Sequence, residues 1–147
     1  MRRPSLLLGV ALLLLESGAL ACSCVAPAAP EGARAAARAA LGGASAIVEV
    51  QVISPYDRIG RIGERLRVVR LLWGKAPRSI LVHRPRVPSS AACDIDLPKA
   101  ARKVLILYPV GERRAAYAVH NLCSDYLVAD PAYRAVTLAE ARRLRPR

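Results

Sequence analysis

The chain has 147 residues, of which 23 are Lys or Arg and 11 are Asp or Glu, and its net charge at pH 7 is +12. This length predicts one domain with a modest core rather than two. Beyond the first 21 residues no apolar run is long enough for a membrane helix, which excludes a multi-spanning membrane protein.

The first 21 residues have the features of a secretory signal peptide. Two arginines near the start precede an apolar run at Leu6–Leu15, and Ala19-Leu20-Ala21 supplies the small residues of a cleavage site. We predict cleavage before Cys22, with an uncleaved N-terminal anchor as the alternative. Removing two arginines and one glutamate with the leader leaves residues 22–147 as the domain, with a net charge of +11. The product is expected to be secreted or periplasmic.

All four cysteines follow the predicted cut, and an even number in an exported chain predicts two disulfides. A Cys22–Cys24 bridge would close a small strained ring. Both residues are therefore expected to pair with Cys93 and Cys123, in one of two arrangements. Each bridge closes a long loop and would stabilise the fold by roughly 3–5 kcal/mol.

One helix is predicted before the first strand. Pro30 and Glu31 suit a first helical turn and Gly42-Gly43 a stop, which indicates a helix over 31–41. Alternating apolar residues from 46 to 52 indicate a half-buried strand. A loop is expected to begin at Ser54-Pro55-Tyr56-Asp57 and to extend to Gly63.

Four further strands are predicted, over 64–73, 79–83, 103–110 and 115–120, with irregular chain at 84–92. A change of face near Val69-Arg70 in the first of these indicates a bulge. The strand at 103–110 is almost wholly apolar and is expected to be central. Five strands with few helices between them predict an all-β fold, a small antiparallel barrel or sandwich with short flanking helices.

The last part of the chain is predicted to be helical or irregular. Thr137 and Glu140 match a capping box that would open a short helix ending near Leu144. Asp125 and Asp130 are expected in turns or at helix starts. Residues 142–147 form a basic tail.

Motifs typical of enzymes are absent from the sequence. His83 and His120 lack the spacing of a metal site, and there is no nucleophile elbow or glycine-rich phosphate loop. Asp94 and Asp96 would share a face of an extended segment, which is a weak calcium or acid–base signal beside the reading as solvated loop carboxylates. We therefore predict a protein that is not an enzyme and has no cofactor of its own.

A chain that begins at Cys22 carries a free α-amine whose ordinary pKa of about 7.7–8 leaves part of it neutral at pH 7. A neutral amine and the carbonyl of the same residue can chelate a metal. A catalytic protease zinc keeps one coordination position open for water. A rigid N-terminus inserted there would expel that water and remove the nucleophile.

Several segments occur in an order found in a known family: Cys22-Ser23-Cys24 after the leader, an Ala-rich helix running into Ala44–Val48, Leu72–Lys75, Ser89–Cys93, Val104–Tyr108 and Asn121–Asp125. In these segments the chain resembles the N-terminal inhibitory domain of the tissue inhibitors of metalloproteinases, in the netrin-like group. The match covers most of residues 22–126. The second domain and the additional disulfide of vertebrate members are absent from this sequence.

The resemblance implies a five-stranded OB-fold barrel with disulfides Cys22–Cys93 and Cys24–Cys123. It implies that the amine and carbonyl of Cys22 bind the zinc of a target metalloprotease and that Ser23 enters the specificity pocket. Ala91, Ala92 and Cys93 would form the adjacent contact ridge, with the loop from Tyr56 to Gly63 near the protease rim.

Two alternatives remain. Cys22 is also the position at which a bacterial lipoprotein would be acylated, which would anchor the protein to a membrane and abolish chelation. Alternatively, the positive charge would serve a non-inhibitory OB-fold module that binds an anionic polysaccharide or envelope surface. Nucleic acid is not an expected partner of an exported protein.

Overall fold

We analysed a computed structural model of the chain, which describes residues 26–27, 30–58, 61–84, 97–111, 116–120 and 122–144. The predicted leader, the irregular segment at 85–92 and the tail residues 145–147 lie outside the described residues.

Five strands form a closed barrel: β1 (Ala46–Arg58), β2 (Arg61–Gly74), β3 (Ser79–Arg84), β4 (Arg102–Pro109) and β5 (Ala116–Val119). Neighbours run in the order β1-β2-β3-β5-β4, and β4 closes on β1. The β3–β5 pair is parallel and the other pairs are antiparallel. The predicted all-β, five-stranded OB-type barrel is confirmed.

The first strand is longer than predicted. We expected a loop from Ser54 to Asp57, but β1 pairs with β2 as far as Arg58 opposite Arg61. The β4 ladder on its other side ends at Gln51, so this extension has one neighbour among the described strands. A proline is tolerated on such an edge. The predicted Tyr56–Gly63 loop is therefore wrong; most of it belongs to the β1–β2 hairpin.

Register shifts bend the β1–β2 pair. Val68 and Arg70 face the consecutive residues Val50 and Glu49, which leaves Val69 as an extra residue in β2. This confirms the predicted bulge near Val69-Arg70. Bulges increase strand twist, and a small barrel needs that twist to close.

A helix precedes the barrel, as predicted. A 3-10 turn at Pro30–Gly32 leads into α1 (Ala33–Leu41), and the chain leaves the helix through Gly42 and Gly43. Buried Ala33, Ala37 and Leu41 recur every four residues and line one face of α1.

Two helices follow the barrel, α2 (Tyr126–Ala129) and α3 (Pro131–Arg143). The predicted helix start at Thr137 is wrong. The α3 N-cap is Asp130, whose Oδ1 accepts hydrogen bonds from the backbone N–H groups of Ala132 (2.8 Å) and Tyr133 (3.4 Å). Thr137 is buried inside α3, where its hydroxyl donates to the carbonyl of Tyr133 at 3.0 Å.

Apolar side chains form layers inside and outside the barrel. The interior contains Ala46, Val48, Val50, Val52, Leu66, Ile80, Val82, Leu97, Leu105, Leu107 and Tyr117. The layer between barrel and helices contains Leu41, Ala44, Ile47, Val104, Ile106, Val128 and Ala141. The strand β4 contributes alternate residues to both layers, which explains why its sequence is almost wholly apolar.

No helix within the described residues is long and apolar enough to cross a membrane.

Candidate functional site

The predicted inhibitory residues fall largely outside the described part of the chain. This applies to Cys22, Ser23, Cys24, Ala91, Ala92 and Cys93, and to the carboxylates Asp94 and Asp96. Two residues that bear on the prediction are described: Cys123 and Pro27. Pro27 lies just after the predicted N-terminal segment, and Cys123 is the residue that the predicted pairing would join to Cys24.

Cys123 lies in a 3-10 turn, Leu122–Ser124, that links β5 to α2, and it is half-buried. It is disulfide-bonded. Its partner lies outside the described residues, so the pairing with Cys24 stays a prediction. The turn is the point at which a distant part of the chain is covalently attached to the fold.

His120 holds the start of this turn against β4. Its Nδ1 accepts a hydrogen bond from the backbone N–H of Ile106 at 3.1 Å. The ring proton therefore sits on Nε2, which donates to Asp125 Oδ1 at 3.3 Å. Because the ring is buried, these bonds fix its orientation and the path of the chain on both sides of Cys123.

Asp125 connects this network to the barrel through an ion pair with Lys103. Its Oδ2 lies 3.7 Å from Nζ of Lys103 on β4. The hydrogen bond from His120 lowers the pKa of the Asp125 carboxyl; partial burial opposes the shift and the charge of Lys103 adds to it. Asp125 was predicted to cap a helix or turn, and it does occupy the N-cap position of α2, but its side chain makes no capping bond.

A cleft of about 560 Å³ lies beside Cys123. It is lined by Ala36, Ala39, Ala40, Tyr108, Val119, His120, Cys123, Ser124 and Tyr126. The hydroxyl of Tyr108 donates to the carbonyl of Ala40, which ties α1 to β4 at its edge. On the α1 side the cleft is lined by the small side chains of Ala36, Ala39 and Ala40.

Pro27 is held against α3. Its carbonyl accepts a hydrogen bond from the hydroxyl of Tyr133. The Tyr133 ring packs edge-on against Tyr126 of α2, with centroids 5.2 Å apart and planes at 86°. The chain that leads back toward Cys24 is thus anchored to the same helical layer that carries the Cys123 turn.

No group of three or more His, Cys, Asp or Glu side chains in the described ranges could hold a metal ion. His120 is a buried structural residue, and His83 lies on β3.

Sequence reasoning missed the roles of Lys103 and Tyr133. Lys103 is 22 residues from Asp125, and Tyr133 is far from Pro27 in sequence, so no local pattern connects either pair. The proximity of His120 and Asp125, five residues apart, was a weak signal that could have been used. No protein-family model matches the chain, and no curated protein matches it significantly.

Proposed function

We propose that this protein inhibits zinc metalloendopeptidases by inserting its mature N-terminus into their active sites. Cys22 would ligate the protease zinc through its α-amine and carbonyl, and Ser23 would enter the specificity pocket. Ala91, Ala92 and Cys93 would form the flanking contact. The zinc belongs to the target enzyme.

The observation that carries this proposal is the attachment of the chain just after the predicted N-terminal segment, together with a disulfide at Cys123 that the predicted pairing would connect to Cys24. Pro27 is hydrogen-bonded to Tyr133, and Cys123 is disulfide-bonded to a residue outside the described ranges. Two residues separate Pro27 from Cys24, and the three Cα–Cα steps between them span at most about 11 Å. A terminus tied this closely loses little conformational entropy on binding, which favours affinity.

The barrel supports the proposal in a second way. Its strand order is that of the OB fold, the architecture that the resemblance implies for an inhibitory domain of this kind. The His120–Asp125–Lys103 network stiffens the turn that would receive the second disulfide. A stiff support keeps the amine and carbonyl of Cys22 in one geometry, as a chelate requires.

The deciding experiment adds one alanine before Cys22 in the mature protein. Inhibition constants would be measured against a panel of zinc endopeptidases with fluorogenic peptides. We expect the extended protein to lose more than about a hundredfold in inhibition, since a lost zinc ligation is worth several kcal/mol. A variant with one alanine added after Arg147 is the control and should inhibit like the parent.

Circular dichroism and thermal unfolding would establish that both variants keep the fold. Equal inhibition by the N-terminally extended and parent proteins would refute terminal chelation. Mass spectrometry of the purified mature protein provides an independent test. An acylated Cys22 would contradict the proposal and favour the lipid-anchored alternative.

A further inference from the structure

Three arginines converge on one cleft of the barrel surface. Arg65 and Arg67 of β2, together with Arg78 just before β3, line a cleft of about 410 Å³. The other described lining residues are Ile53, Val68 and Ser79. All three arginines are exposed, so their guanidinium groups are accessible to a ligand.

The backbone fixes the positions of these arginines. Arg67 is paired with Ser79 across the β2–β3 ladder, and the Val68 N–H donates to the Arg78 carbonyl at 2.9 Å. Leu66, between the two β2 arginines, is fully buried in the barrel. Because side chains alternate along a strand, Arg65 and Arg67 both point outward.

The three charges are not neutralised within the described part of the chain. No Asp or Glu there forms an ion pair with Arg65, Arg67 or Arg78, whereas Glu49 lies 3.1 Å from Arg70 and 3.9 Å from Arg102. Neighbouring like charges on one face of a sheet destabilise the fold. A bound polyanion would relieve that repulsion.

Polar residues on the same barrel face extend this surface from the cleft to Arg102, which also has Glu49 as a partner. Gln51 of β1 is paired with Arg67 on one side and with Arg102 of β4 on the other. The row Arg102–Gln51–Arg67–Ser79 therefore crosses four strands, and three inter-strand steps correspond to about 14 Å. A track of this length suits a linear polymer with repeated charges better than a single small anion.

The chemistry of the cleft distinguishes between polyanions. Arginine forks form paired hydrogen bonds with sulfate and carboxylate groups, and Ile53 supplies apolar surface for the C–H face of a sugar ring. Single-stranded nucleic acid is held mainly by bases stacked on aromatic rings. None of the described lining residues is aromatic.

We propose that the outer barrel face around Arg65, Arg67 and Arg78 is a binding site for an anionic polysaccharide. This site is built on β2 and the start of β3, whereas the proposed zinc-binding residue, Cys22, is at the mature N-terminus. The inference does not depend on metalloprotease inhibition, and either activity can be present without the other.

The test measures binding of the mature protein to size-defined heparin, used as a sulfated polysaccharide probe, by calorimetry at several salt concentrations. We expect the triple variant R65Q/R67Q/R78Q to bind at least about tenfold more weakly, with a shallower dependence on salt because fewer counterions are released. Its thermal stability should be equal to or above that of the parent, because repulsion is removed.

The matched control is K75Q/K99Q/R142Q, which removes three exposed charges outside the cleft and keeps the same net charge as the triple variant. It should bind heparin within about twofold of the parent. Equal weakening by the two triple variants would overturn the proposal, since net charge alone would then explain binding. Tighter binding of single-stranded oligonucleotide than of heparin at matched charge would also overturn it.

Discussion

His120 uses both ring nitrogens at the junction of β4, β5 and the Cys123 turn. Nδ1 accepts from the Ile106 N–H, and Nε2 donates to Asp125. The backbone N–H of His120 also donates to the Ile106 carbonyl at 3.3 Å, so both the side chain and the backbone of His120 are hydrogen-bonded to Ile106 of β4. The residue therefore decides how firmly the turn is attached to the barrel.

Replacing His120 by leucine should lower the free energy of unfolding by roughly 1–3 kcal/mol, because the buried Ile106 N–H loses its side-chain acceptor. The measurement is urea denaturation at pH 7. His120→Asn is the matched variant, and it should lose less because its amide oxygen lies near the position of Nδ1 and can accept the same bond. Equal losses in both variants would show that the hydrogen bond to Ile106 does not account for the lost free energy of unfolding.

The network also predicts a pH dependence. The folded pKa of Asp125 lies below its ordinary value of 3.8, so its stabilising effect is complete above that value and is lost as the pH falls through the folded pKa. Asp125→Asn should therefore be less stable than the parent at pH 7, and the difference should shrink as the pH falls below 3.8. Urea denaturation from pH 7 to pH 2.5 measures it; a difference independent of pH would contradict the assignment.

At the level of elements, the close approach at the end of β2 constrains the barrel. Gly74 has φ +80°, and a Cβ placed there would lie 2.0 Å from the carbonyl oxygen of Ser45. Lys75 N–H donates to that same oxygen at 3.1 Å, which holds the two segments together. A side chain at Gly74 would have to push the start of β1 away from the end of β2.

Gly74→Ala should destabilise the protein by more than about 2 kcal/mol, since a strained φ adds to a backbone clash. Gly43→Ala is the matched control: Gly43 has φ +84° but nothing within 4 Å of the added Cβ. It should lose only about 1 kcal/mol, for the backbone conformation alone. Thermal and urea unfolding would measure both, and similar losses would show that the contact with Ser45 relaxes freely.

The start of α3 offers a second test at this scale. Asp130→Ala removes the side chain that accepts from Ala132 and Tyr133, and should lower the free energy of unfolding by about 1 kcal/mol. Asp130→Asn keeps an acceptor oxygen and should retain most of the stability in the same denaturation assay. If alanine and asparagine were equally destabilising, the capping bond would not be the source of the effect.

Across the whole molecule, the core of the described residues forms two main apolar clusters, one inside the barrel and one under the helices. Strands of the barrel supply most of the described members of the interior cluster, and α1, α2 and α3 contribute to the layer under the helices. The covalent link at Cys123 then adds a constraint from a distant part of the chain to a barrel that already has a core.

Reduction of the protein at 25 °C should lower its free energy of unfolding by roughly 2–5 kcal/mol, because a cross-link to Cys123 constrains the unfolded chain. Reduced and alkylated protein would be compared with oxidised protein by urea unfolding. An unchanged midpoint would contradict a stabilising disulfide. Comparing inhibition in the same samples would show how far the proposed activity needs the tethered terminus.

Periodicity and turn residues are local signals, and they predicted an all-β barrel or sandwich; the five-stranded barrel was implied by the resemblance. The sequence located α1, the bulge near Val69 and the apolar strand β4. It was wrong at Ser54–Asp57 because a proline-containing segment can pair on one side where no second described strand is bonded to it. It was wrong at Thr137 because the capping-box pattern also occurs inside a helix, where the threonine hydroxyl bonds one turn back.

By itself, the sequence determined the all-β class and the main strands, since these follow from patterns along a short stretch of chain; the leader and its cysteine-rich start stay predictions. Only the tertiary structure decided the closed strand order, the His120–Asp125–Lys103 network, the anchoring of Pro27 by Tyr133 and the convergence of Arg65, Arg67 and Arg78. Such features arise when distant residues are brought together by chain closure. These contacts form only in the packed barrel, so no local sequence pattern predicts them.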